Sequence, residues 1–134
     1  MEFLASALTD MSAHAGAAPA DMRAFEADTL RRVGMPAAIV PRHAAPHFQH
    51  IFSGDAYSAG YYSYLWSEVL DADAFEAFEE TGDVFDPALA ERLRRYIYSA
   101  GGTGEADALY AAFRGRAPDP IALLRKRGLG VQAT

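Results

Sequence analysis

The stretch that decides the fold is "AYSAGYYSYLWSEVLDADAFEAFEE", residues 56–80. It predicts the longest helix of the chain, from Ala56 to Glu80, closed by Gly82. At helical periodicity Tyr57, Tyr61 and Tyr64 fall within an arc of roughly 60°, and Glu68 continues the same stripe. Tyr62, Leu65, Trp66 and Val69 cover a second broad sector. A helix apolar on two sides needs neighbours on both. Gly60 is expected inside this helix, where glycine weakens it by about 1 kcal/mol relative to alanine.

On either side of this segment, helical punctuation continues. Phe3, Leu4, Ala7, Leu8 and Met11 recur at spacings of three and four, predicting a short amphipathic helix that stops near Gly16. It begins almost at Met1 with no capping residue ahead of it, as though residues had been cut away. In "APADMRAFEADTLRRVG" (18–34), Pro19 stands near a first turn, acids come early, arginines late, and Gly34 is a stop. "MPAAIVPRHAAPHFQH" (35–50) holds three prolines and cannot be one helix, so it reads as an extended connector carrying three of the four histidines. Further helices are expected over Pro87–Ser99, Thr103–Arg114 and Pro120–Arg127. No stretch shows sustained strand alternation. The expectation is an all-α fold: one compact multi-helix domain over residues 1–134, with a Pro-rich connector and one long aromatic helix.

Composition narrows the function. At 134 residues, 51% hydrophobic and 22% charged, the chain has enough apolar mass for a buried core. Cysteine is absent, which excludes disulfides and thiolate metal sites. A net charge of −6 argues against nucleic acid, whose phosphates need a basic surface. No run approaches the roughly 20 apolar residues of a membrane span. An acid at position 2 and no basic leader argue against a secretory signal, so a cytoplasmic location is expected.

The chemical residues are few. His43 and His47 stand four apart, the spacing of the two histidines in an H-E-x-x-H zinc helix. The segment reads "HAAPH", however, with alanine where the glutamate belongs and Pro46 breaking the helix. No metal site is expected in this chain. The tyrosine stripe supports two readings, core packing or the wall of a cleft. Each buried phenol needs a hydrogen-bond partner, and phenols facing a cleft can donate to a developing oxyanion, as can a nearby imidazole. Gly54 suits a turn that lets the chain move or approach a ligand. The acids of "LDADAFEAFEETGD" (70–83) are expected to scatter over a solvated face. The arginines of "FRGRAPDP" (113–120) can clamp a carboxylate, pin helix ends or pair with acids on a neighbouring helix.

Taken together, "FQHIFSGDAYSAGYYSYLWSEVLDADAFEAFEE" (48–80), "YSAGGT" (98–103) and "FRGRAPDPIALLRKRGL" (113–129) resemble the C-terminal end of the thimet-oligopeptidase and peptidyl-dipeptidase family of zinc metallopeptidases. The bacterial peptidyl-dipeptidase and oligopeptidase A branch is the nearest. The likeness extends back through "RRVGMPAAIVPRH" (31–43) to "EFLASALTDM" (2–11). It implies a large helical enzyme whose deep channel admits short peptides. There a zinc held by H-E-x-x-H and a downstream glutamate hydrolyses the peptide bond. By the same resemblance His50 and Tyr57 are the histidine and tyrosine of a mobile substrate loop, Tyr64 is a second tyrosine two turns further on, Tyr61 lines the channel, and all four bind peptide backbone and stabilise the oxyanion. The chain contains no H-E-x-x-H, so it is expected to bind no zinc and to be inert alone, a truncated part of such an enzyme. Two alternatives stand beside this: a peptide-binding or protein-interaction module, and one half of a split peptidase completed by a separate catalytic chain. Apolar surface left uncovered around Tyr62 and Trp66 leads to an expected homodimer or higher oligomer.

Overall fold

Aspartates open two of the helices. Asp21, extended at φ −127°, accepts the N–H groups of Arg23 and Ala24 at 2.9 and 3.0 Å and so starts α2, Met22–Arg32. Asp86 accepts the N–H of Leu89 at 2.7 Å ahead of Pro87 and starts α4, Pro87–Leu93. The computed structural model describes residues 2–130. Within them lie α1 (Glu2–His14), α2, α3 (Tyr62–Thr81), α4, α5 (Ala106–Arg114) and α6 (Ile121–Lys126), with no strand among the described residues. The fold is all-α. The predicted helix start at Met1 lies outside the described residues.

The packing divides the chain between Trp66 and Ser67 into two compact units. In the first, α1 packs on α2, and α2 on a short 3₁₀ turn at Ala45–His47. The buried face of α1 is built from small side chains, Ala5, Ser6, Ala7, Thr9 and Ala13, which allow close approach. The Glu26 carboxylate on α2 accepts the N–H of Ala45 and fixes the incoming chain. Phe48 and Ile51, the latter with no exposed surface, complete this core. The connector is therefore not simply extended: it closes in two 3₁₀ turns, Ala45–His47 and Gln49–Phe52.

In the second unit Ala77, Leu89, Tyr110 and Phe113 form the core, backed by Leu70, Ala74, Phe78, Leu93, Tyr96 and Ile97. The helix predicted over Pro87–Ser99 ends its α part at Leu93 and winds wider over Arg94–Tyr98, where the Ser99 N–H reaches the Arg94 carbonyl at 2.8 Å. α5 begins at Ala106, three residues later than predicted, and ends on Gly115 at φ 84°, in the left-handed region.

The largest difference lies in α3. It starts at Tyr62, not Ala56, because the chain is folded into turns before it. Gly54 stands at φ 132°, and its carbonyl accepts the Tyr57 N–H at 2.9 Å. Ala59 takes φ 57°, which a helix does not contain. Gly60 thus lies in the turn, not in the helix, and a Cβ there would meet the Tyr57 carbonyl oxygen at 3.3 Å. Tyr57 and Tyr61 are not on the helix at all, so a shared helical stripe does not unite the three tyrosines.

Candidate functional site

The tyrosines nonetheless come together, through the turn. His50, in the second 3₁₀ turn, sits at the centre: its ring lies 5.0 Å from Tyr57, 5.6 Å from Tyr61 and 6.0 Å from Tyr64. The first two contacts are edge-to-face, the arrangement favoured by the ring quadrupoles. Tyr64 Oη lies 3.5 Å from His50 Nε2, a long contact that leaves both groups available to a ligand. Tyr61 and Tyr64 approach to 5.3 Å, also edge-on. Gly54 is exposed in the turn between His50 and Tyr57, with open space where a side chain would stand.

Three residues not assigned to this site from the sequence complete it. Phe3 stacks on Tyr61 at 5.0 Å, and Phe48 meets the same ring edge-on at 4.9 Å. His43 lies over Phe48 at 4.8 Å. With His50, Tyr61 and Tyr64 they line an open cavity of about 230 Å³ in the first unit. The Arg42 guanidinium stands 5.9 Å above the Phe3 ring and 3.4 Å from the Glu2 carboxylate. Phe3 is legible in the sequence as part of an amphipathic helix, but that periodicity cannot say what its apolar face meets.

One carboxylate organises the turn. Asp10 on α1 has no exposed surface; its Oδ1 accepts the Ala59 N–H at 3.0 Å and its Oδ2 the Tyr61 N–H at 2.8 Å. His14 Nδ1 lies 2.9 Å from Asp10 Oδ1 and 3.0 Å from the Asp10 carbonyl. Both neighbours are acceptors, so Nδ1 carries the proton and donates.

The arrangement offers two kinds of group, phenol O–H and imidazole N–H, both suited to hold a carbonyl or an oxyanion. It does not suit a metal. Among the described residues no three His, Asp or Glu side chains gather to hold an ion.

A second polar cluster occupies the second unit, and it corrects one expectation. The acids of residues 70–83 do not merely scatter over a solvated face. Asp73 is fully buried; it accepts from Tyr110 Oη at 2.7 Å and Arg116 Nη2 at 2.6 Å, with Arg114 Nε at 3.4 Å. Arg114, itself almost buried, also holds Glu80 through two bonds of 2.7 and 2.6 Å. That pairing lowers the Glu80 carboxyl below its ordinary range. Burial, then the bond to Asp73, raises the Tyr110 phenol well above its ordinary value. Glu76, Asp71 and Glu68 pair with Arg125, Lys126 and Arg127 of the α6 region. This network is structural: Arg114 and Arg116 bind neighbouring acids, one of the readings their sequence supports.

Comparison with known proteins places the chain in a family. The model of peptidase family M3 matches residues 1–129. Oligopeptidase A of Haemophilus influenzae is 46% identical over 106 residues, 76% of this chain and 15% of that protein. Oligopeptidase A of Escherichia coli is 42% identical over 126 residues, 91% of this chain and 18% of that one. Dipeptidyl carboxypeptidase of Escherichia coli is 37% identical over 135 residues, 97% of this chain and 19% of its own length. The chain spans less than a fifth of the length of these relatives.

Proposed function

This chain belongs to peptidase family M3, and we propose that it supplies the C-terminal, peptide-contacting part of a peptidyl-dipeptidase-like zinc metallopeptidase. On this reading His50, Tyr57, Tyr61 and Tyr64 hold the backbone of a short peptide and donate to the oxyanion at the scissile carbonyl. Gly54 lets the turn carrying Tyr57 approach that peptide. The zinc and its general base belong to residues other than these 134, which contain no H-E-x-x-H. One observation carries the reading: three tyrosine rings gather on one imidazole beside an open cavity. Donors of this kind stabilise an oxyanion, but they do not activate the water that attacks, so this chain alone is inert.

Hydrolysis of a quenched short peptide by the purified chain, with added zinc and a chelator control, tests this. No turnover above the buffer rate is expected. Chelator-sensitive turnover would show a metal site within this chain and overturn the reading.

A second reading is favoured by the cavity's being lined within one unit. A stand-alone module would bind short peptides saturably, and Tyr64→Phe or His50→Ala would abolish that binding. Activity that appears only on adding a zinc-bearing chain would instead mark a complementing half. The half-exposed Tyr62 and Trp66, one turn apart on α3, support association into a homodimer or larger oligomer. A cytoplasmic setting is proposed by analogy with a probable cytosolic oligopeptidase A of Arabidopsis thaliana, 49% identical over 85 residues. None of the described helices is long and apolar enough to cross a membrane.

A further inference from the structure

We infer that Asp10 is the positioning residue of the tyrosine turn: its buried carboxylate, oriented by His14, grips the backbone of Ala59 and Tyr61 and thereby sets the rings around His50. The inference rests on the peptide-contacting role proposed for those rings, and its geometry stands independently of it.

A carboxylate without exposed surface is costly unless its oxygens are satisfied. Here three donors converge on it, two backbone N–H groups from the turn and the His14 Nδ1–H from one helical turn further along α1. The two N–H groups flank Gly60, and the residue that delivers the first, Ala59, is the single non-glycine residue with positive φ among the described residues. A left-handed alanine is unfavourable in isolation. The anion offsets that cost, because this kink aims the N–H groups of residues 59 and 61 at one carboxylate, as backbone nests do around bound anions.

The consequence reaches the site within two residues. Tyr61 is held through its own N–H, and its ring lies 5.0 Å from Phe3, 5.6 Å from His50 and 5.3 Å from Tyr64. Phe3 and Asp10 belong to the same helix, so α1 supplies both the anchor and one wall of the cavity. His14 is braced in turn by Phe52, 5.3 Å away, at the end of the 3₁₀ turn that carries His50. Asp10 touches no ligand itself; it acts through Tyr61.

The test uses the full chain in Asp10→Asn, His14→Phe and His14→Asn forms. Asparagine at position 10 keeps one acceptor and replaces the other with a donor facing an N–H group. At position 14 phenylalanine removes the donor but keeps a ring against Phe52, whereas asparagine restores a donor near the Nδ1 position. Amide hydrogen exchange at Ala59 and Tyr61 is read by NMR, alongside binding of a fluorescent alanine–phenylalanine pentapeptide. Exchange at both amides is expected to accelerate about tenfold or more in Asp10→Asn and His14→Phe, with peptide affinity weakened by a similar factor. His14→Asn should recover most of both. Should Asp10→Asn fail to fold, the two His14 variants decide. Unchanged exchange at Ala59 and Tyr61 in variants that fold would overturn the inference, as would equal effects of phenylalanine and asparagine at position 14. Failure of the unaltered chain to bind the pentapeptide would count against the peptide-contacting role alone, and exchange would still judge the anchor.

Discussion

Asp73 and Tyr110 show how much one buried carboxylate governs in the second unit. Removing it in Asp73→Ala leaves Arg114 Nε without its neighbour and Arg116 without its closest bond. The expected loss is about 3 kcal/mol, measured by urea unfolding, because the remaining guanidinium is almost buried. Tyr110→Phe removes a single 2.7 Å bond to the same carboxylate and should cost about 2 kcal/mol in the same assay. It also carries a pH signature. The folded chain raises this phenol above its ordinary 10.0, so the neutral form is the one that folding favours. That contribution is complete below about pH 10 and is lost as pH rises beyond it, because the unfolded chain gives up the proton first. Stability measured from pH 9 to 11 should therefore fall more steeply in the unaltered chain than in Tyr110→Phe.

Helix boundaries depend on where a backbone N–H finds an acceptor. α2 and α4 begin where Asp21 and Asp86 supply one, and both signals are local to the sequence. Asp86→Ala is expected to lower stability by about 1 kcal/mol, read as a downward shift in thermal midpoint, and Asp86→Ser should restore most of it. The start of α3 was not legible in the same way. Residues 56–61 carry helical spacing, but the acceptor that draws the Ala59 and Tyr61 amides out of a helix is Asp10, 49 and 51 positions away. Periodicity has no access to a partner at that distance. The tyrosines do gather around one imidazole, though not because they share a helical stripe. Phe3 and His43 were missed as cavity residues for the same reason, since each meets its aromatic partner only after the chain has folded back.

At the scale of the molecule, the exposed aromatic residues of α3 bear on how the chain behaves in solution. Tyr62 and Trp66 are 51% and 47% exposed, and they stand four apart on one helix. Light scattering after size exclusion is expected to give a dimer or larger species, and Trp66→Glu should shift it to monomer by placing a charge in the contact. A monomeric unaltered chain would remove the case for association.

The sequence by itself determined the helical class, the family and the identity of the ring-bearing residues. Each of those is written in local spacing and residue type: capping aspartates, glycine stops, and the ordered run from Phe48 through Trp66. Only the tertiary structure decided where α3 begins, which rings surround His50, and that Asp73 and Asp10 are the two fully buried acids among the described residues. A carboxylate looks the same in sequence whether water or three donors surround it. Its role was decided when α1 met the tyrosine turn and α5 met α3, because burial leaves a charge stable only where distant parts of the chain bring it partners.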